Sequence, residues 1–335
     1  MDDTARLLQS TATRLFQDHF PPAALAEAER GTWPAAAWAA VEEAGLHHAM
    51  VPEHGVAVPD ALALLRVAGE HAVPLPLTET MLATWLLAGA GLPIPDGPLT
   101  VASGDVALVR EGGGWRLAGL ASRVPWGRHA AAVAVLAGGL VALAEKGGWT
   151  AEHGANMALE PRDDLRFDVV VDAVAPAGDG GLRAVGAAMR SVQIAGALLR
   201  VTAMTTRYAQ DRVQFGRPIG KFQAIQQYIA TMAAQTAAAV AAADLAAEAV
   251  ADGVRVLPIA AAKARTGEAA SLVAGLAHQV HGAIGFTYEH ALHFSTKRLW
   301  SWRDEFGSEA EWSAVLGRHV AGAGAARLWE ELTAW

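Results

Sequence analysis

Two spacings of apolar residues divide the 335-residue chain into three regions. In the first, residues 1–97, apolar positions recur three and four residues apart and are interrupted by Pro and Gly. That spacing predicts amphipathic helices, and hence an N-terminal helical domain. The predicted helical positions are the face of Leu7, Leu8, Thr11 and Leu15 and the stretches 60–69 and 77–91.

The second region, residues 98–177, consists of short stretches rich in Val and Leu, separated by turn signals. One of these signals, Gly112-Gly113-Gly114, is interpreted as a hairpin turn because no phosphate-loop residues follow it. The spacing predicts a small, mostly antiparallel β-domain. The predicted strands are residues 100–109, 115–120, 131–136, 140–144 and 167–171.

The third region, residues 178–335, returns to the helical period. Its alanine runs favour helix formation and close helix packing, and the segment lengths match an antiparallel bundle. The four predicted helical segments are residues 184–210, 219–251, 258–282 and 308–332. We therefore predict an α+β fold that is mostly α, with an N-terminal helical domain, a small middle β-domain and a C-terminal four-helix bundle.

Composition and charge exclude several classes of protein. Hydrophobic residues make up 53% of the chain and charged residues 18%, which excludes a disordered protein. The net charge of -8 makes nucleic acid an unexpected partner. Cysteine is absent, which excludes disulfides and thiolate metal sites and favours a cytoplasmic location.

No membrane segment is expected. The start of the chain is acidic and then amphipathic, unlike a signal peptide. The uncharged stretch at residues 130–144 contains two central glycines and is shorter than the ~20 residues that span a bilayer.

Several motif candidates have a simpler structural explanation. Gly178-Asp179-Gly180-Gly181 precedes a predicted helix but lacks the third glycine of a dinucleotide fingerprint, so a domain linker is expected. His278 and His281 stand three residues apart without a third ligand nearby in sequence, so no metal site is predicted. Neither GxSxG nor HExxH occurs, which leaves hydrolase chemistry without a motif.

One segment combines the features of an anion site. Residues 207–227, RYAQDRVQFGRPIGKFQAIQQ, here termed the first motif, place Gly216, Pro218 and Gly220 between two predicted helices. Helix N-terminal N–H groups and arginine side chains both favour phosphate oxygens. Taken alone, the segment is either a corner for an anionic ligand or a helical hairpin with solvated arginines.

A second segment, residues 278–307, is here termed the second motif and reads HQVHGAIGFTYEHALHFSTKRLWSWRDEFG. The two motifs, about 65 residues apart, resemble the C-terminal domain of the acyl-CoA dehydrogenase family in order and spacing. Weaker likeness extends upstream, for example through Leu159-Glu160-Pro161-Arg162. The resemblance covers essentially the whole chain and is specific from about residue 185 onward.

The resemblance implies FAD as cofactor and the α,β-dehydrogenation of an acyl-CoA thioester. In this family the corner after the first bundle helix contacts the FAD of the facing chain. Carried over residue by residue, Arg212 would pair with the pyrophosphate, and Gln214 and Phe215 would line the adenosine. Gln223 would support the turn.

The same resemblance implies further contacts and partners. From the second motif, Gln279 and Gly282 would approach the same dinucleotide. A dimer or tetramer is expected, with electron transfer flavoprotein as the electron acceptor. The short β-domain is compatible with a bulky polycyclic acyl group.

Two departures from the family pattern concern catalysis. The TEPxxGSD-like segment, which holds the isoalloxazine ring in the family, has no counterpart between residues 90 and 130. The family's glutamate base aligns with Phe306, and its alternative position aligns with Gly186. Glu305 is the nearest carboxylate and therefore the candidate base. The competing interpretation is that Glu305 forms a salt bridge with Arg298 or Arg303.

Three functions remain open. The first is a subunit of a heteromeric α2β2 acyl-CoA dehydrogenase, like the sterol-degrading relatives in which one chain lacks the flavin loop and the base. That chain would complete the FAD site of an unlike partner. The second is a self-sufficient homo-oligomeric enzyme with a displaced base. The third is a non-catalytic structural relative without flavin.

Overall fold

The computed structural model describes residues 3–177 and 181–333. Most of the predicted linker, residues 178–180, lies outside the described residues. Contacts divide the chain into two compact units. The first comprises Met1–Ala61 and Pro74–Leu182, and the second comprises Leu62–Val73 and Arg183–Trp335. The division of the first unit at residue 97 stays a prediction.

Helices build the first part of the chain, as the apolar spacing predicts. They are α1 (Asp3–His19), α2 (Pro22–Glu29), α3 (Ala35–Glu43), α4 (Val58–Glu70) and α5 (Leu77–Gly89). The predicted helix at Leu7, Leu8, Thr11 and Leu15 is confirmed, and these positions share one face of α1. The buried positions of α1 are Ala5, Ala12 and Phe16, whereas Leu7 is 67% exposed.

Two four-stranded sheets follow, with strand orders β1-β4-β5-β8 and β2-β3-β7-β6. The strands are β1 (Leu99–Ala102), β2 (Asp105–Glu111), β3 (Gly114–Pro125), β4 (Ala132–Ala137), β5 (Leu140–Glu145), β6 (Trp149–Glu152), β7 (Arg162–Val171) and β8 (Val174–Pro176). The mostly antiparallel pairing is confirmed, with β1 and β4 parallel. The hairpin turn at Gly112-Gly113 is also confirmed.

The second unit is helical. Its helices are α6 (Leu182–Asp211), α7 (Gln223–Ala251), α8 (Val256–His281), α9 (Leu292–Trp302), α10 (Glu309–Ala323) and α11 (Leu328–Thr333). All four predicted segments are helical, but the last is split at Gly324. The prediction of four helices missed α9, because the second motif was interpreted through its Gly and His residues and not through its apolar spacing.

The core of this unit draws its buried apolar residues from α6, α7, α8 and α9, with Trp302 among the largest of them. Helix α7 is the one described helix that is long and apolar enough to cross a membrane by length and composition. That is weak evidence for a membrane span, because core helices of soluble proteins pass the same test. Only 28% of its most apolar window is buried within this chain, so α7 presents an alanine-rich surface.

Candidate functional site

The first motif folds into a tight corner between α6 and α7. A short antiparallel hairpin, β9 (Val213–Gln214) and β10 (Arg217–Pro218), leads into a 3-10 turn at Ile219–Lys221. Phe215 and Gly216 form the hairpin turn, with φ of 51° and 77°. Positive φ at both turn positions is typical of tight hairpins, but Phe is an unusual residue there. We refer to residues 212–222 as the open corner.

Hydrogen bonds fix the base of the open corner. The Arg212 N–H donates to the Tyr208 carbonyl, and the Ile219 N–H donates to the Arg212 carbonyl, both at 2.8 Å. The Gln226 side chain donates to the Gly220 carbonyl at 3.0 Å. The glutamine that closes the turn is therefore Gln226, which the sequence analysis missed, whereas Gln223 is exposed at the start of α7. Cofactor contact by Gln223 stays a prediction.

A cleft of about 400 Å³ lies along the inner side of the open corner. Arg212, Gln214 and Phe215 line it, so the structure brings together three of the residues predicted to bind a cofactor. The other lining residues are aromatic or aliphatic, namely Tyr208, Ile219, Phe222, Ile225, Val280 and His281. The cleft thus combines a cationic, amide-bearing rim with an apolar wall.

The arginines of the first motif differ in their partners. Arg207 pairs with Asp211 at 3.3 Å, one helical turn away. The guanidinium of Arg217 lies 4.2 Å from the centre of the Phe222 ring. Arg212 is exposed, lines the cleft and has no ion-pair partner among the described residues. Of the three arginines, Arg212 is therefore the one that lines the cleft with no ion pair among the described residues.

The second motif supplies the deep side of the cleft. The His281 ring stacks on Tyr208 with 4.3 Å between ring centres, and His281 Nδ1 lies 2.8 Å from the Ala277 carbonyl. Burial lowers the pKa of His281 to about 4, so this ring is neutral near pH 7. Gln279 and Gly282 flank it at exposed positions, outside the residues that line the cleft. Their contact with a cofactor stays a prediction.

The predicted base, Glu305, lies in another corner of the same unit. Residues 303–307, here termed the closed loop, connect α9 to α10. The Glu305 carboxylate accepts hydrogen bonds from Nε and Nη2 of Arg190 on α6, at 2.8 and 2.7 Å. The Arg190 side chain is 2% exposed and that of Glu305 is 18% exposed. The interpretation that Glu305 forms a salt bridge is confirmed, with Arg190 of α6 as a partner that the sequence analysis did not name.

A buried lysine supports the closed loop from α8. Lys263 is fully buried, and its Nζ donates to the carbonyls of Arg303 and Gly307. These carbonyls follow the end of α9, where backbone acceptors lack helical partners. Burial lowers the pKa of Lys263 to about 8, opposed by the nearby carboxylates of Glu305 and Asp304.

Comparison with known proteins identifies the family to which the chain belongs. The profile of the acyl-CoA dehydrogenase C-terminal domain matches residues 183–302. Acyl-CoA dehydrogenase IpdE2 of Mycobacterium tuberculosis is 30% identical over 312 residues, which cover 88% of this chain and 90% of that protein. The chain belongs to the acyl-CoA dehydrogenase family. IpdE2 of Mycolicibacterium smegmatis is 29% identical over 323 residues, covering 89% of this chain and 93% of that protein.

Solved structures agree with this acyl-CoA dehydrogenase assignment and confirm the predicted fold class. The steroid acyl-CoA dehydrogenase variant Tcur3481-Tcur3483 superposes with a TM-score of 0.88 at 25% identity, over 96% of this chain and 98% of that chain. The ChsE4-ChsE5 complex from Mycobacterium tuberculosis gives 0.84 at 25% identity, over 97% and 99%. Both of these relatives consist of unlike chains.

The two positions that align with acyl-CoA dehydrogenase bases lie against each other. Phe306, on the closed loop, covers Gly186 near the start of α6, and a Cβ on Gly186 would lie 2.4 Å from the Phe306 ring. Neither position carries a carboxylate. This contact joins residues 120 positions apart, so no sequence pattern could have revealed it.

Residues 90–130, which lack the acyl-CoA dehydrogenase ring-binding sequence, contain β1, β2 and β3, with β1 and β2 joined through Ser103-Gly104. Their one buried hydroxyl, on Thr100, donates to the Pro125 carbonyl at 2.6 Å. This hydroxyl is used in holding strands together. In residues 3–177 and 181–333, no three His, Asp or Glu side chains are grouped so that they could hold a metal ion.

Proposed function

We propose that this chain is one subunit of an FAD-dependent acyl-CoA dehydrogenase and that its open corner completes a flavin site on an unlike partner chain. The observation that carries the proposal is Arg212, an exposed guanidinium without an ion-pair partner in the described chain, at the rim of an apolar cleft. An exposed arginine without an ion-pair partner among the described residues favours a phosphate group, because its guanidinium can donate charge-assisted hydrogen bonds to phosphate oxygens.

The residues of the open corner fit the adenosine diphosphate half of FAD. Arg212 would hold the pyrophosphate, and the rim amide of Gln214 and the ring of Phe215 would contact the adenosine. The apolar wall of the cleft would exclude water from that contact. The bound FAD supplies the hydride-accepting centre of the reaction.

The partner would supply what this chain lacks. The aligned base positions are Gly186 and Phe306, and Glu305 is engaged by Arg190. A carboxylate paired with a guanidinium is a weaker base, because the positive charge favours its ionised form. The proton acceptor, the ring-binding segment and the main contacts to the acyl-CoA thioester are therefore assigned to the partner chain.

The substrate, the electron acceptor and the location are further parts of this proposal. A bulky polycyclic acyl group is proposed, because the structures at 25% identity include a steroid acyl-CoA dehydrogenase. Electron transfer flavoprotein is the proposed acceptor, and a cytoplasmic α2β2 heteromer is the proposed assembly. The alanine-rich surface of α7 is the surface proposed to pack against other subunits.

Co-expression tests the assembly. The chain is produced alone and together with a second acyl-CoA dehydrogenase-like chain encoded beside it, and flavin absorption and sedimentation are measured. We expect flavin to be retained only in the co-expressed complex. A homo-oligomer that retains stoichiometric flavin by itself would contradict the proposal, and so would a pair of chains that assembles without any flavin.

Arg212→Ala tests the site within that complex. A charge-assisted contact between arginine and phosphate contributes ~1.5–3 kcal/mol, so FAD affinity should fall roughly 10- to 100-fold. Arg207→Ala and Arg217→Ala are the matched controls, because Arg207 already pairs with Asp211 and Arg217 lies on Phe222. Equal losses in all three variants would indicate general electrostatic attraction instead of a defined site.

A further inference from the structure

Phe306 fills a slot on helix α6. A Cβ on Gly186 would lie 2.4–2.6 Å from three carbons of the Phe306 ring, distances that real Cβ atoms do not show. The ring can therefore occupy this place only because residue 186 is glycine. The Arg190 guanidinium lies 6.0 Å from the centre of the same ring.

The backbone under Phe306 is held in an unusual conformation. Phe306 has φ of 54° and Gly307 has φ of 103°. The indole Nε1 of Trp312 donates to the Phe306 carbonyl at 3.0 Å. A non-glycine residue in the left-handed region persists where its surroundings over-determine it. Here Trp312 is one of those surroundings.

Both ends of the closed loop are also fixed. Lys263 donates to the carbonyls of Arg303 and Gly307, and Arg190 donates to Glu305. The loop is thus pinned on each side of Phe306 by buried cations from α8 and α6. Such a loop presents a fixed ring to the slot and not a mobile one.

We propose that Phe306 is a steric plug, seated in the Gly186 slot, that closes the acyl-thioester position of this chain itself. The proposal rests on the proposed function, because the alignment of Phe306 and Gly186 with the base positions gives the slot its meaning. This chain lacks the carboxylate at these positions, and the Phe306 ring also blocks the space sterically. This chain therefore cannot take an acyl thioester at its own slot while it serves its partner.

The first arm of the test measures the slot without any ligand. Gly186→Ala, Phe306→Ala and the double variant are compared by thermal unfolding of the assembled protein. Gly186→Ala should lower Tm by roughly 3–10 °C, as over-packing of a core does. In the Phe306→Ala background the same substitution should cost little, because the opposing ring is gone. Additive losses would overturn the contact.

The second arm measures ligand binding. S-hexyl-CoA, a thioether that cannot be dehydrogenated, is titrated calorimetrically into the same assembled proteins. Phe306→Ala should add one binding site per copy of this chain relative to the unaltered protein. Phe306→Gly, which also removes the ring and suits the positive φ at this position, is used if Phe306→Ala fails to assemble. An unchanged number of sites in a variant that passes the first arm would overturn the plug.

Phe286→Ala is the control, since Phe286 is an exposed phenylalanine of the same unit, 73% exposed, and is assigned to neither proposal. It should add no site for S-hexyl-CoA and should show no coupling to Gly186→Ala. The two proposals fail differently. Coupling between Gly186 and Phe306 without S-hexyl-CoA binding in any assembly would refute the acyl-CoA function and the plug's role in it, whereas a bound thioether with no coupling would refute the plug alone.

Discussion

Two Phe-Gly turns of the C-terminal unit have similar backbones and opposite surroundings. Phe215 and Gly216 of the open corner have φ of 51° and 77°, and Phe306 and Gly307 of the closed loop have φ of 54° and 103°. The Phe215 side chain is 92% exposed, whereas the Phe306 ring packs on Gly186.

The difference shows which of the two turns is complete within one chain. A left-handed conformation costs a non-glycine residue ~1–2 kcal/mol. In the closed loop this cost is offset by the Gly186 slot and the Trp312 hydrogen bond. In the open corner the Phe215 ring meets Phe222 edge-on at 6.1 Å and otherwise faces solvent. The open corner therefore has the composition of a surface that is completed by a ligand or a partner.

The ion pairs of the closed loop and of the open corner also differ in their exposure to solvent. The pair of Arg190 and Glu305 in the closed loop is almost fully withdrawn from water, with side chains 2% and 18% exposed. The pair of Arg207 and Asp211 beside the open corner has side chains 82% and 67% exposed. Removing one member of a pair should therefore have very different consequences in the two places.

Arg190→Met should cause the largest loss of stability. Removing one partner of a buried pair costs ~3–5 kcal/mol, because the remaining charge loses its compensation in a poorly solvated place. The free energy of unfolding of the assembled protein, measured in urea, gives the effect directly.

Arg207→Met is the control for that prediction, because it removes the same kind of side chain from an exposed pair. Exposed pairs contribute less than ~1 kcal/mol. Similar losses in the two variants would show that the closed loop is not more strongly held than the open corner, and the comparison between them would fail.

The next largest expected effect is the pH dependence that Lys263 gives to the free energy of unfolding. Burial lowers the pKa of Lys263 from 10.5 to about 8. Between these values the unfolded chain holds a proton that the folded chain has released, so the free energy of unfolding should rise with pH from 8 to 10.5. The total gain from this group is about 3 kcal/mol.

Lys263→Met should remove that rise, so the difference between the unaltered protein and the variant isolates it. Lys221→Met is the matched control, because Lys221 is exposed in the open corner. The measurement is the urea unfolding free energy at several pH values. A rise of equal size in both variants would assign the pH dependence to other groups.

The open corner could be predicted from the sequence because its determinants are local. Breakers at Gly216, Pro218 and Gly220 end one helix and permit the next within a dozen residues, and the arginines stand among them. Helix boundaries in the bundle followed from the same local signals. The prediction missed Gln226, because a hydrogen bond from a side chain to a turn carbonyl leaves no periodic pattern.

The closed loop could not be predicted in the same way. Arg190 and Glu305 are 115 residues apart, and Gly186 and Phe306 are 120 residues apart. Local charge proximity favoured Arg298 and Arg303 as partners of Glu305. In the structure Arg303 donates to Ser271 and Arg298 donates to the Phe294 carbonyl. Tertiary packing of α6 against the loop thus overrode the order of charges along the chain.

Glu305→Gln has the smallest expected effect on catalysis and decides between the remaining functions. Because Arg190 already holds the Glu305 carboxylate, we expect dehydrogenation by the assembled enzyme to change by less than roughly tenfold, a cost of under about 1.4 kcal/mol in the barrier. Turnover of an acyl-CoA thioester is measured together with the FAD content of each preparation, so that loss of flavin is not counted as loss of a base.

The glutamine keeps the size of the side chain and an acceptor oxygen for Arg190, but it removes the charge that compensates the buried guanidinium, so stability should fall and assembly of the variant is verified before its turnover is measured. If Glu305 were the proton acceptor, turnover would instead fall a thousand-fold or more with FAD retained, since a neutral amide cannot take the α-proton. That result would favour a self-sufficient enzyme and would make the pair with Arg190 a resting state that opens during catalysis. Near-normal turnover removes Glu305 from the reaction and leaves the partner chain as the source of the base.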